Sequence, residues 1–424
     1  MEASFVKVDI TPPLGLRLGG YAHRMGRSST GVHDPLFARI LSLTSSSGEV
    51  VVLTQLDFLG IYREEAEALR REISSALKIG EDNVIVSATH THSSPEVIIP
   101  MWPNTFPYSD EEIKAFRGWF QSCLNRMRGA LEEGRESEEV RVRMGETKCV
   151  GVCRNRTFKG GQVDEELPLV LFSGGKLRVA LTSYPCHPVC NTDLGFSADY
   201  PGALASEALT RGLEVLFLTG AAGDIDPLKK GRDFMVHMGE RLLSSIESAT
   251  LHQVEPKDLG ISRGELRVKL RLAPPLEEAR RAYSEALERA REILSKEAGL
   301  LEKWDERLRS LLYADEAYEI SKRLNWGEAE ILVQALRLGR DLAIAFLPGE
   351  PFVETGMRIK EGMKRMGYRV SMVVGYSNDY PGYIPVKEAF RIGSYEATFA
   401  RWSRVTEDAE PALAEKAVEV VSEA

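Results

Sequence analysis

The sequence predicts a mixed α/β fold, in which sheets are flanked by helices and a helical hairpin is inserted. Three observations predict it. Apolar, strand-like runs alternate with segments of helical periodicity. Four of those runs end in polar or Gly/Pro-rich turns. One stretch, 275–323, is rich in Glu, Arg, Ala and Leu and nearly free of glycine.

The elements follow in order. Val50–Leu56 is an apolar strand ending at Asp57. Arg63–Leu77 carries apolar residues at Ala66, Leu69, Ile73 and Leu77, one face of a helix. Val84–Ser87 then closes a β-α-β unit. Asp110–Glu133 reads as a long helix, and Ser109 with Glu112 three residues on forms a capping box. Val140–Met144, Leu167–Phe172 and Leu177–Leu181 read as strands, Gly202–Arg211 as a helix, Leu213–Leu218 as a strand and Phe234–Ser248 as a helix. The 275–323 stretch reads as two helices, about Leu276–Lys296 and Leu301–Leu324. Charge-rich helices are usually solvated faces, so this hairpin is expected to pack on the sheet; a lid or dimerisation arm is the functional alternative. The core pattern resumes at Ala329–Leu336, Leu342–Phe346 and Val370–Val374, and Pro411–Ala424 is a closing helix. No internal repeat is evident. The expected organisation is a single domain over 1–424 with 275–323 inserted in it.

The composition narrows the function. Lys and Arg number 54 against 63 Asp and Glu, a net charge of −9, which argues against nucleic acid as a partner. No run of about 18 apolar residues suits a membrane span, and the first residues lack a secretory pattern. Five cysteines without framework spacing fit a reducing cytosol, so a cytoplasmic location is expected. A small-molecule substrate is expected, and the oligomeric state, a homo-oligomer included, stays open.

The chemistry concentrates at strand ends, where α/β proteins place their sites. Ala88-Thr89-His90-Thr91-His92-Ser93-Ser94-Pro95 leaves a buried strand with two imidazoles two residues apart, on one face of an extended chain. Neutral imidazole is the commonest protein ligand for zinc; the bland alternative is a polar strand end. Tyr184-Pro185-Cys186-His187-Pro188, Leu347-Pro348-Gly349-Glu350-Pro351 and Gly375 to Ile384 end three further strands. Together they offer another His, a Glu and tyrosines, a mixed N/O set for one divalent metal.

These motifs, with others, resemble the catalytic N-terminal domain of the neutral/alkaline (non-lysosomal) ceramidases. The resemblance runs through Val8-Asp9-Ile10-Thr11-Pro12-Pro13-Leu14-Gly15, Gly20-Tyr21 and His33-Asp34-Pro35-Leu36-Phe37-Ala38-Arg39. It continues with the His90/His92 run, Asn155-Arg156-Thr157, Gly223-Asp224-Ile225-Asp226-Pro227, Pro348-Gly349-Glu350, Tyr380-Pro381-Gly382-Tyr383-Ile384 and Tyr395-Glu396-Ala397. It implies zinc ligands at His90, His187, Glu350 and Tyr383, and site-lining, substrate-contacting roles for His92, Arg156 and Tyr395. The family's nucleophilic serine falls on Asp226. A carboxylate cannot perform the same attack, so the chain is identified as a diverged member.

The resulting expectation is a zinc-dependent hydrolase of an amide or ester, perhaps of an N-acyl compound, acting through a metal-bound water. Asp226, or Asp224, is the general base; Arg156, His92 and Tyr395 stabilise the oxyanion. Two alternatives stand beside it: a metal enzyme of another class, an isomerase or phosphoesterase, and a non-catalytic zinc-binding relative.

Overall fold

The computed structural model describes residues 1–134, 136–256, 258–294 and 305–424. Three sheets form its frame. In the first, Glu2–Asp9, Phe37–Thr44 and Val50–Leu56 pair antiparallel, and Val84–Ala88 joins Val50–Leu56 in parallel after the Arg63–Leu77 helix. In the second, Arg141–Lys148, Glu166–Ser173 and Arg178–Tyr184 pair antiparallel, and Glu214–Thr219 joins in parallel after the Asp199–Leu209 helix. In the third, Leu259–Lys269, Glu328–Leu338 and Leu342–Phe346 pair antiparallel, and Val370–Val374 joins in parallel after the Val353–Arg365 helix. A parallel neighbour needs a crossover, and each sheet supplies one helix for it. The same connection order therefore occurs three times, a repeat of topology that the residues themselves do not spell.

Alternation along the strands explains the packing. Val51, Leu53 and Ile85 of the first sheet share one apolar core with Leu181 and Leu216 of the second and Ile344 of the third. Val52, Val84 and Val86 point the other way, onto Leu69 and Ile73 of the Arg63–Leu77 helix. With both faces covered, such strands read as continuous apolar runs.

The C-terminal ends of the three parallel strands are joined by hydrogen bonds. The Thr219 hydroxyl donates to the Thr89 carbonyl at 2.6 Å, and the Gly375 amide donates to the Thr219 carbonyl at 3.0 Å. The Ala88 amide donates to the Tyr376 carbonyl at 3.0 Å. The loops that follow these strands are thus fixed against one another.

Most expected elements lie where the sequence puts them, and Ser109 with Glu112 forms the capping box. The helix expected from Gly202 begins earlier, at Asp199. Pro201 sits in its first turn, where a missing N–H costs nothing. Three long strands (Glu2–Asp9, Phe37–Thr44, Leu259–Lys269) and the Val353–Arg365 helix have no counterpart in the sequence reading. Leu259–Lys269 alternates weakly because much of it is exposed. Among the described residues no helix is long and apolar enough to cross a membrane.

The stretch 275–323 contains helices Leu276–Leu294 and Glu306–Glu319. Its expected helical residues Ser295, Lys296 and 301–304 lie outside the described residues. Ala286, Ala290, Leu308 and Leu311 join the same core as Leu69 and Ile73. Asp315 accepts from the Asn104 side chain at 2.7 Å and the Thr105 amide at 2.9 Å. Buried Glu316 takes a two-pronged ion pair from Arg401, at 2.8 and 2.7 Å.

These anchors make the stretch part of the core. Glu316→Ala strands a buried guanidinium, so unfolding by urea is expected to show a loss of about 3–5 kcal/mol. Deleting 275–323 is expected to abolish the cooperative transition; a deletion variant that unfolds like the parent would refute this.

Candidate functional site

The strand Val84–Ala88 ends two residues before His90, whose φ of 66° turns the chain. His90 and His92 therefore do not share a strand face, the geometry expected from their spacing. They meet because a loop folds them together: the two Nε2 atoms are 3.2 Å apart. His187 reaches the same point from the loop after Arg178–Tyr184. One ligand nitrogen from each of His90, His92 and His187 lies within 4.8 Å of the others, and all three rings are buried.

Backbone partners fix the tautomers of two of the rings. His90 Nδ1–H donates to the Leu59 carbonyl, and His187 Nδ1–H donates to the Ile225 carbonyl at 3.1 Å. Both Nε2 atoms are left as lone pairs. They face the same oxygen: Glu350 Oε2 is 3.2 Å from His90 Nε2 and 3.0 Å from His187 Nε2. Burial, reinforced by neighbouring charges, lowers the pKa of His92 and of His187, which keeps both imidazoles neutral.

With both rings neutral, two imidazole lone pairs thus face one carboxylate oxygen with no proton between nitrogen and oxygen, an arrangement that a cation would satisfy. Four ligands at about 2.0–2.1 Å around a tetrahedral ion stand roughly 3.3–3.5 Å apart. The separations of 3.0–3.2 Å are close to that. The donor set fits a metal ion.

Two tyrosines hold Glu350. Tyr380 donates to Oε1, and Tyr376 donates to Oε2 at 3.4 Å while stacking on His90 at 4.1 Å. Neither was singled out from the sequence, although the spacing of Tyr376, Tyr380 and Tyr383 in one strand-end loop was visible. Tyr376 has φ 54°, a costly backbone state for a bulky residue. Arg24, also unassigned from sequence, is buried beneath the histidine loop. It donates to the His92 carbonyl and, at 2.8 Å each, to the carbonyls of Gly19 and Asp193.

Tyr383 is placed beside the cluster, its ring 6.5 Å from that of His187. Its hydroxyl accepts from Arg156 Nη2 at 3.0 Å. Arg156 also donates to Asp226 at 2.9 Å, to Glu396 at 2.8 Å and to the Gly223 carbonyl at 2.9 Å. Asp226 lies on the short strand Ile225–Pro227, paired with Cys153–Asn155 just before Arg156. Burial would raise its pKa, but the charges of Arg156 and Lys230 outweigh burial and lower it. Asp224 is fully buried. Its oxygens accept from Asn155 at 2.6 Å and from the Val353 amide at 2.8 Å, so it caps the Val353–Arg365 helix. Burial pushes its pKa up to about 6.

A cavity of about 660 Å³ reaches the site at His92, with Arg156, Asp226, Tyr383 and Tyr395 also among its walls; His90, His187 and Glu350 lie behind that lining. Tyr395 keeps 46 % exposure and stacks on Trp402. Asp224 is not part of the lining.

Gly20 packs directly against His92. Its φ is 84°, and a Cβ there would stand 2.4 Å from His92 Nδ1. Gly20→Ala is expected to cost about 1–3 kcal/mol in chemical denaturation, from backbone strain and the displaced ring. A neutral result would mean that His92 is not held by this contact.

No family model and no curated protein sequence matches the chain. Solved structures do. The neutral ceramidase from Pseudomonas aeruginosa superposes with a TM-score of 0.73 at 19 % identity, covering 99 % of this chain and 74 % of that one. A ceramidase complexed with C2 gives 0.73 at 17 % identity, with the same coverage. The chain has the ceramidase fold.

Proposed function

We propose that the chain is a zinc-dependent hydrolase of an amide or ester bond, with an N-acyl compound as substrate. The observation that carries this reading is the convergence of two imidazole nitrogens, from His90 and His187, on one Glu350 oxygen beside a cavity that holds Asp226. The ceramidase fold and the strand-end motifs support the amide. In this reading His90, His187 and Glu350 hold the ion, and His92 and Tyr383 border its remaining position. Zinc bound there would supply Lewis acidity, polarising a carbonyl and acidifying a water molecule.

The chain's own groups do the rest. Asp226 stays ionised at neutral pH and accepts the proton of the attacking water. Its Oδ1 is held by Arg156, which orients the carboxylate. Burial raises the pKa of both Tyr383 and Tyr395, so both phenols remain protonated and can donate. Together with the Arg156 guanidinium they line the place where negative charge develops on the substrate oxygen. Asp224 acts as a brace, since both its oxygens are engaged elsewhere.

The test is zinc content and turnover on a panel of amides and esters. Chelation is expected to remove activity and added zinc to restore it. His90→Ala and His187→Ala are expected to lose zinc. Comparing zinc affinity in His92→Ala and Tyr383→Phe identifies the fourth ligand as the one with the larger loss. Asp226→Asn is expected to keep zinc and lose about 10²–10⁴-fold in kcat, the usual worth of a general base. Full activity in Asp226→Asn would sink the assignment. Stoichiometric zinc without turnover of any substrate would favour a binding protein.

A further inference from the structure

The cavity carries more positive charge than the proposed chemistry uses. Asp226 is its one carboxylate among the described residues, against three cations: Arg156, Lys230 and Arg309. Arg156 is spent on Asp226 and Glu396. Lys230 has no carboxylate within 4.0 Å among the described residues. Its ammonium sits 3.4 Å from the Tyr21 hydroxyl and 5.6 Å from the centre of that ring. Arg309 has Glu306 at 3.8 Å, but that side chain is 85 % exposed to water. A chain of net charge −9 has no general excess of cations to scatter into a cavity.

The wall beside Arg309 is apolar. Arg309, Leu312 and Tyr313 lie three and four residues apart on the Glu306–Glu319 helix, so they share one face. All three line the cavity. Tyr313 and Tyr395 both pack near Trp402, at 6.3 and 6.4 Å. The space therefore offers an aromatic and aliphatic surface together with two cations that, among the described residues, no buried carboxylate approaches within 4.0 Å.

We infer that the substrate is an amphipathic amide whose amine portion carries an anion, a carboxylate or a phosphate, held by Lys230 and Arg309. This rests on the hydrolase reading above and adds the substrate class to it. In the reaction the acyl C–N bond breaks, the water oxygen joins the carbonyl carbon, and a water proton passes to the departing amine. The two cations meet the anion on that amine and hold the carbonyl toward Asp226 and Arg156. Charge-assisted hydrogen bonds of this kind are worth about 10- to 100-fold in affinity.

Two matched pairs test it on the zinc-loaded, full-length protein. N-octanoylglycine is compared with N-octanoylglycinamide, and N-octanoyl-O-phosphoethanolamine with N-octanoylethanolamine. The anionic member of at least one pair is expected to have a kcat/KM about 10- to 100-fold higher, and the pair with the larger ratio identifies the anion. Lys230→Met and Arg309→Met are each expected to shrink that ratio, and the double variant to abolish it. Circular dichroism checks that the variants fold. Equal kcat/KM within both pairs overturns the inference, as does a ratio that survives the double variant. If no probe is hydrolysed, the hydrolase reading fails. Calorimetric Kd ratios for the same pairs, in parent and double variant, then support or overturn the charge selection by the same criteria.

Discussion

Lone pairs pointed at lone pairs are the constraint on which this structure turns. His90 and His187 each bring an imidazole nitrogen to within 3.2 Å of one Glu350 oxygen, with no proton between nitrogen and oxygen when the rings are neutral. In a buried setting such an arrangement is unfavourable unless a cation fills it. It therefore has to be imposed. Each member is held from behind: the rings through Nδ1 by backbone carbonyls, the carboxylate by Tyr376 and Tyr380. Outer groups of this kind set ring orientation and ligand basicity in metal sites.

The imposition begins with the sheets. Each ends in a parallel strand, and the loops that leave those strands carry His90, Asp226 and Tyr376. The hydrogen bonds linking Thr89, Thr219 and Gly375 tie the loops into one unit. Strained backbone collects there, with His90, Tyr376 and Asn378 all at positive φ. Strain of about 1–3 kcal/mol per residue persists only where the surroundings over-determine the conformation. The apolar core shared by all three sheets supplies that rigidity.

The helical stretch between the first two strands of the third sheet, Leu259–Lys269 and Glu328–Leu338, links the scaffold to the cavity. One face of the Glu306–Glu319 helix is buried, with Leu308 and Leu311 in the core and Glu316 paired with Arg401. The adjoining face presents Arg309 and Tyr313 to the cavity. A single helix thus contributes stability through one stripe and cavity chemistry through the next, and its charge-rich composition reports neither role by itself.

Local signals in the sequence carried the local structure. The Arg63–Leu77 periodicity and the Ser109/Glu112 box act over one or two turns, so they could be read without a fold. Histidines, a glutamate and tyrosines placed just beyond apolar strands marked where a site would form, because strand ends are where side chains escape the core. Tertiary structure decided how those residues meet. It brought His92 to His90 through a turn rather than a strand face, and it set Tyr383 against Arg156. It also put Asp224 beneath the site and Asp226 within the cavity. Lys230 and Arg309, 79 positions apart by their numbers, line one space. The threefold topology was invisible for the same reason. Sheet-on-sheet packing asks only for apolar residues of suitable size, so nothing in the strands records which ends will meet.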